Sequence, residues 1–320
     1  MKNLVKEIFN KHFNDEAIGI SEIIGKGMVS RVFKIETQDS KFIIKTLENE
    51  SSTKEYNKEK WCLDQMKNID IPSPEVYFVG TYENNAYIVM EFIDGECGTE
   101  TKLDRDLIWK TLGEYASKIN NIKVDGFGLD FNNGKFVNGH TQTWEDYVDY
   151  NLSMLTDDDV FIEKRIYSLE QRDKIKNIFN ELKNNISLAL SHSDLSPRNV
   201  IIRNGRVYLY DFGAAFVTIK FYYDMITLLK SQIMINIPEI LESDIHGVAS
   251  DKQFEEFLNG YGVSLGEYKN KHEVKTHAVL LLDAFDKLRW AVDKSPISVK
   301  GLTIYAKKVV EIMLRYRDGT

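Results

Sequence analysis

The 320-residue chain has only two cysteines, Cys62 and Cys97. Two thiols cannot build a disulfide framework, and no CxxC or Cys/His ligand spacing accompanies them, so no structural zinc and a reduced compartment are expected. A basic surplus is also missing: 41 Lys and Arg face 49 Asp and Glu, for a formal net charge of −8. Proteins that track nucleic-acid phosphates carry a basic excess or a basic stripe, so no nucleic-acid partner is expected and a cationic small molecule suits the balance better. No apolar run approaches the roughly 20 residues that span a bilayer, and Met1 to Asn10 mixes charge into every turn, unlike a signal peptide. The expectation is a cytoplasmic protein without a membrane partner. Core material is plentiful, with 43% hydrophobic and 12% aromatic residues, enough for one large domain or two modest ones.

The pattern changes character along the chain. Residues 1 to 20 read as an amphipathic helix on Leu4, Ile8 and Phe9. Residues 18 to 24, 31 to 37 and 41 to 47 are short, β-branched and aromatic, and predict an antiparallel meander. A helix over 52 to 68 follows, closed by Pro72 and Pro74, and two further strands flank Glu83-Asn84-Asn85. From Leu103 onward the signal is mainly helical, near 103 to 121, 143 to 155, 164 to 186, 220 to 233, 251 to 260, 271 to 291 and 298 to 316. The expected boundary is Asp94-Gly95, giving one domain over 1–93 and another over 94–320, in an α+β fold. One hairpin interrupts the helices, with Asn204-Gly205 as its type I′ turn.

That hairpin organises the first chemical constellation. A two-residue turn pairs Arg203 with Arg206 and sets Asn199 opposite Tyr210, so Asn199 and Asp211 become neighbours at the open end. An amide oxygen and a carboxylate there, with Asp194 five residues upstream in a Pro-containing loop, suit a hard divalent cation with a base beside it. Asp211 shares a strand face with Val207 and Leu209, where an ionised carboxylate needs a partner. A second constellation puts Lys45 on the strand face of Ile43 and Leu47, and Glu59 in the helix stripe Tyr56, Glu59, Leu63, Met66. Opposite charges on facing apolar surfaces most simply neutralise each other. A third is the turn Gly25-Lys26-Gly27-Met28-Val29-Ser30, whose missing side chains let backbone N–H groups approach phosphate oxygens.

Each piece has a plainer reading. Gly25 and Gly27 can simply connect a hairpin, Lys45 can snorkel to solvent, Glu55 competes with Glu59 for the pairing, and a strand-end Asp can be a turn former. His192 suits a loop-holding hydrogen bond better than acid–base work. Glycine loop, strand Lys, helix Glu, Asp-x4-Asn and strand-end Asp nevertheless occur in the order that phosphoryl transfer requires.

That ordered set, Gly25/Gly27, Lys45, Glu59, His192-x-Asp194-x4-Asn199 and Asp211-Phe212-Gly213, resembles the protein-kinase-like superfamily, and within it the aminoglycoside phosphotransferase branch. The resemblance implies an antiparallel-sheet lobe that binds nucleotide and a mainly helical lobe that binds substrate. It implies that Lys45, paired with Glu59, holds the α and β phosphates of ATP, with GTP also possible, and that Asp194 takes the proton of the acceptor hydroxyl. Asn199 and Asp211 would hold Mg2+. The backbones of Glu91 and Ile93 would address the adenine, with Met90 as gatekeeper, and Ser30 would contact phosphate in place of a third glycine.

Protein kinases place a Lys two residues after the catalytic Asp, whereas this chain has Ser196. It also reaches the helical Tyr222-Tyr223-Asp224-Met225-Ile226 about a dozen residues after Asp211, leaving no room for a peptide-binding activation segment. Asp125-Gly126-Phe127-Gly128 followed by Thr143-Trp144-Glu145-Asp146-Tyr147 is similar to hygromycin B phosphotransferases. Asn120 stands where such families often have a His, and Phe212-Gly213 is closer to the eukaryotic kinase form. Glu145, Asp146, Asp157, Asp158, Asp159, Glu255, Glu256, Asp283 and Asp286 are candidates for receiving the ammonium groups of a cationic acceptor. The sequence fixes no oligomeric state.

Overall fold

The computed structural model describes residues 1–24, 30–132, 134–139, 141–241, 245 and 247–318. The chain divides into two compact units. The first holds Met1–Leu103, Phe131–Gly134 and Asn199–Ala215, and the second holds Asp104–Asp130, Lys135–Arg198 and Phe216–Thr320.

The first unit is built on a five-stranded antiparallel sheet. Its strands run in the order Gly19–Glu22, Arg31–Glu36, Lys41–Glu48, Asn85–Glu91, Val76–Tyr82. Period-2 alternation explains its two faces. Phe33, Ile35, Ile44, Tyr87 and Val89 point to one side, where Val5, Ile8 and Phe9 of the helix Lys2–His12 cover them. That helix is shorter than its sequence pattern, because Phe13 turns extended (φ −127°, ψ 138°) and stacks on Phe9 at 4.8 Å. On the other face Lys45, opposite Val32 and Ile88, is turned away from that aromatic cluster. The helix Thr53–Asn68 buries Tyr56, Glu59, Leu63 and Met66, the predicted stripe.

The Asn204-Gly205 hairpin also belongs to the first unit. Both turn residues have positive φ, 52° and 75°, as a type I′ turn requires. The register pairs Arg203 with Arg206 and Val200 with Leu209, and the Tyr210 N–H donates to the Asn199 carbonyl at 3.1 Å. A short strand, Glu96–Cys97, adds to its outer side.

The second unit is mainly helical around a core that includes Phe161, Phe179, Phe285, Leu302 and Val309. Its helices include Arg105–Ile119, Trp144–Ser153, Leu169–Glu181, Tyr222–Met234, Asp251–Tyr261, Glu273–Lys294 and Val299–Asp318, all anticipated from sequence to within a few residues. Two four-residue strands, Leu188–Ser191 and Phe216–Ile219, pair antiparallel and were not anticipated. Helices Arg105–Ile119 and Asp251–Tyr261 cross with backbone against backbone. A Cβ on Gly113 would stand 2.0 Å from the Phe257 carbonyl oxygen, and one on Gly260 would stand 1.9 Å from that of Lys110.

Candidate active site

In the first unit a strand, a helix and the end of the hairpin deliver three charges to one point. Lys45 Nζ lies 2.7 Å from Glu59 Oε1 and 3.3 Å from Asp211 Oδ1. The Lys45 and Glu59 side chains are only 11% and 4% exposed, so each leaves water and depends on the other. Burial pulls the Lys45 ammonium down, but the Glu59 and Asp211 carboxylates outweigh it and hold its pKa above the ordinary lysine value. Burial raises the Glu59 carboxyl, with Lys45 opposing. Glu55, the competing acid, instead stands 3.8 Å from Lys58 with its side chain 39% exposed.

Asp211 differs from the strand-face expectation. Val207 and Leu209 are buried, but the strand stops at Leu209 and Asp211 adopts left-handed backbone, φ 65° and ψ 65°. This turn takes its carboxylate off the buried face and leaves it 42% exposed beside the Lys45 ammonium. Phe212 behind it is fully buried, and its turn packs on the helix that carries Glu59. Asn199, 7% exposed, sits at the same open end.

Gly25 and Gly27 lie outside the described residues. Ser30, at the end of that turn, accepts a hydrogen bond from the Tyr56 hydroxyl at 3.2 Å. Tyr56 had been legible only as a core residue, yet its hydroxyl feels the charges of Lys45, Glu59 and Asp211. Met90 and Ile93 are buried, at 4% and 3% exposure. The Glu91 N–H is committed to the Glu75 carbonyl at 2.8 Å, which leaves the Glu91 carbonyl as the backbone group to consider there.

Asp194 belongs to the second unit, in the loop that leaves strand Leu188–Ser191. His192 is fully buried, and its Nδ1 accepts the Asp194 N–H at 3.3 Å, the loop-holding role expected of it. Ser193 has φ 66°, a backbone a serine adopts only under constraint. The Asp194 carboxylate is 19% exposed, with Arg198 Nη2 at 3.7 Å. Ser196 is fully buried, and Gly247 (φ 89°) approaches it so closely that a Cβ there would come within 2.4 Å of the Ser196 Cβ. Chain therefore covers the position where protein kinases carry a lysine.

Several acidic candidates for an ammonium receptor are engaged otherwise. Asp146 closes a capping box with Thr143, and Asp159 is held by both terminal nitrogens of Arg289 and by Tyr167. Asp283 accepts from Tyr223 at 3.2 Å and Lys230 at 3.4 Å, and burial raises the Asp286 carboxyl, with Tyr147 hydrogen-bonded to it.

An ammonium clamped between two carboxylates in the first unit can bind phosphate, and a partly buried aspartate on a constrained loop of the second can take a proton from a hydroxyl. Solved structures share the fold. The aminoglycoside phosphotransferase APH(4)-Ia superposes with a TM-score of 0.65 at 16% identity, over 97% of this chain and 99% of that one. A thermostable mutant of it, in ternary complex with AMP-PNP and hygromycin B, gives 0.62 at 16% identity, over 96% and 98%. A putative fructosamine-3-kinase from Haemophilus somnus 129PT gives 0.58 at 14% identity, over 98% of each chain. The fold is thus α+β and protein-kinase-like, with an antiparallel-sheet unit and a helical one. The model of the phosphotransferase enzyme family matches residues 21–269, the stretch that carries Lys45, Glu59, Asp194, Asn199 and Asp211 in that order, and the chain belongs to that family.

Proposed function

We propose that this phosphotransferase moves the γ-phosphoryl group of ATP, with GTP as a possible donor, to a hydroxyl of a cationic, aminoglycoside-like small molecule, inactivating an antibiotic. The Lys45–Glu59–Asp211 clamp carries the reading. A lysine held charged at 11% exposure, with a half-exposed carboxylate beside it, is an anion receptor kept from collapsing onto a single acid. In this reading residues 1–93 centre the nucleotide lobe and 94–320 carry catalysis and substrate. Lys45 holds the α and β phosphates, Ser30 and the Gly25/Gly27 turn take phosphate oxygens, and Glu91 and Ile93 meet the adenine beneath Met90.

Among the described residues no three His, Cys, Asp or Glu side chains gather as a metal cage. One carboxylate and one amide, Asp211 and Asn199, are the donor set that suits Mg2+, which completes its shell with phosphate and water. When bound, Mg2+ neutralises charge on the β and γ phosphates. The chain's own part is positioning, together with proton transfer from the acceptor hydroxyl to an Asp194 carboxylate oxygen.

The buried Ser196, covered at Gly247, and the short segment before the helix Tyr222–Met234 favour a small acceptor over a peptide. A second reading, a kinase of another small metabolite such as choline or an amino sugar, is supported by the fold shared with a putative fructosamine-3-kinase. A panel of aminoglycosides, choline and amino sugars with ATP or GTP, followed by product mass, separates the two. Asp194→Ala should abolish substrate-dependent phosphorylation, and an unchanged rate would overturn the assignment of the base.

A further inference from the structure

Two stretches singled out in the sequence have no part in the chemistry so far: Asp125-Gly126-Phe127-Gly128 and Thr143-Trp144-Glu145-Asp146-Tyr147. They meet around one ring. Phe127 is buried, with Trp144 edge-on at 6.1 Å and Tyr147 at 5.7 Å. The glycines on either side of it have positive φ, 93° and 122°, and lie against backbone. A Cβ on Gly126 would stand 1.9 Å from the Phe136 carbonyl oxygen, and one on Gly128 would stand 2.3 Å from that of Val137. The Phe127 N–H donates to the Phe136 carbonyl at 3.1 Å, the Phe136 N–H donates to the Asp125 carbonyl at 3.0 Å, and Gly128 and Val217 exchange both backbone bonds at 3.0 Å. These bonds root a small hairpin, in which Asp130–Asn132 pairs with Lys135–Val137.

Within that hairpin Phe131 belongs to the first unit, although Asp130 before it and Lys135 after it belong to the second. Its half-buried ring lies 5.5 Å from that of Trp61, tilted by 41°. Trp61 is on the helix Thr53–Asn68, two positions after Glu59, and so about 200° around the helix from it. Phe131 therefore meets the helix on the side opposite Glu59. The Glu59 side packs on the strands Val76–Tyr82 and Asn85–Glu91.

We infer that Phe131 is a positioning residue for the Lys45–Glu59 clamp: resting on Trp61, it stops the helix Thr53–Asn68 from backing away from the sheet and so keeps Glu59 on Lys45. A buried ion pair contributes little net stability of its own, because desolvation offsets the attraction. The 2.7 Å separation of Lys45 and Glu59 thus depends on what holds the helix in place. When the helix drifts outward, Lys45 loses the carboxylate that fixes its ammonium, and nucleotide affinity falls in proportion to the competent fraction. The rooted glycines give the hairpin a fixed starting point, which an aromatic tip needs if it is to act as a stop.

The inference rests on the reading that Lys45 holds nucleotide phosphates, so its test pairs nucleotide binding with a readout that needs no ligand. In Phe131→Ala, hydrogen exchange should rise across the helix Thr53–Asn68 and stay unchanged in Arg105–Ile119. The Kd for AMP-PNP should rise about 2- to 12-fold, the scale of one lost aromatic contact. Phe131→Tyr keeps the ring and should match the wild type in both. In a Glu59→Gln background, where the ion pair is already gone, Phe131→Ala should leave the Kd unchanged, which a general loss of stability would not do. Trp61→Leu removes the other ring and should reproduce both effects if Phe131→Ala does not fold. Helix exchange equal to that of the wild type in a folded variant, or a Kd increase that persists in full beside Glu59→Gln, would overturn the inference. If the wild type binds no AMP-PNP, the reading of the function fails while the exchange comparison still decides this one.

Discussion

Replacing Lys45 with methionine probes the centre of the first unit. The ammonium is 2.7 Å from Glu59 and 3.3 Å from Asp211. At an effective dielectric of about 20, the attractions are roughly 6 and 5 kcal/mol, and the second is cut further by water, since the Asp211 side chain is 42% exposed. Desolvation offsets much of this in the intact pair, but the variant leaves Glu59 buried with no cation, at a cost of about 3–5 kcal/mol. Glu59 can escape by binding a proton. Burial already raises its pKa, and losing Lys45 removes the main opposing influence. Above an unfolded value near 4.5, the folded variant then holds a proton that the unfolded chain lacks. Its stability should fall as the pH rises, by up to about 1.4 kcal/mol per pH unit. Amide exchange in strand Lys41–Glu48 from pH 5 to 8 reads this directly. Lys45→Met/Glu59→Leu should recover stability at every pH without recovering turnover. A loss independent of pH, or a double variant no more stable than the single one, refutes the account of a mutually dependent buried pair.

Tyr56→Phe removes the hydroxyl that holds Ser30 and should raise the KM for nucleotide about 3- to 10-fold, with the KM for acceptor unchanged. The effect should vanish in a Ser30→Ala background. Gly113→Ala would set a methyl 2.0 Å from the Phe257 carbonyl oxygen and should destabilise the second unit by about 1–3 kcal/mol, measured by urea unfolding. Gly247→Ala meets both a positive φ and the Ser196 side chain at 2.4 Å. It should lower kcat and leave the nucleotide KM intact, because the strain falls on the loop of Asp194.

Much of the first unit was legible because its informative residues break a local pattern. Lys45 and Glu59 are charges standing in apolar stripes, and Asn204-Gly205 names its own turn, from which the Arg203–Arg206 register follows. Asp211 was found but set on the wrong face, since strand periodicity cannot foresee a left-handed residue after Leu209. The buried hydrogen bond from the Asn120 amide to the Asp224 carboxylate, 2.9 Å long, was invisible for another reason. Asn120 and Asp224 are 104 positions apart, and each is an ordinary polar residue at the end or first turn of a helix. The strands Leu188–Ser191 and Phe216–Ile219, four residues each, are too short for alternation to register. Gly25 and Gly27 lie outside the described residues.

The close crossing at Gly113 and Gly260, each set against backbone of the facing helix, acts as a gauge block. Where side chains separate two helices, their spacing changes with every substitution. Here peptide groups meet, and their dimensions are the same whatever the neighbouring residues. Asn120 caps the end of one of these helices and Tyr261 ends the other. The 2.7 Å bond between them is therefore spanned by a distance that drift in the surrounding residues cannot alter. A relative could exchange most side chains along this crossing and keep that bond, provided both glycines stay.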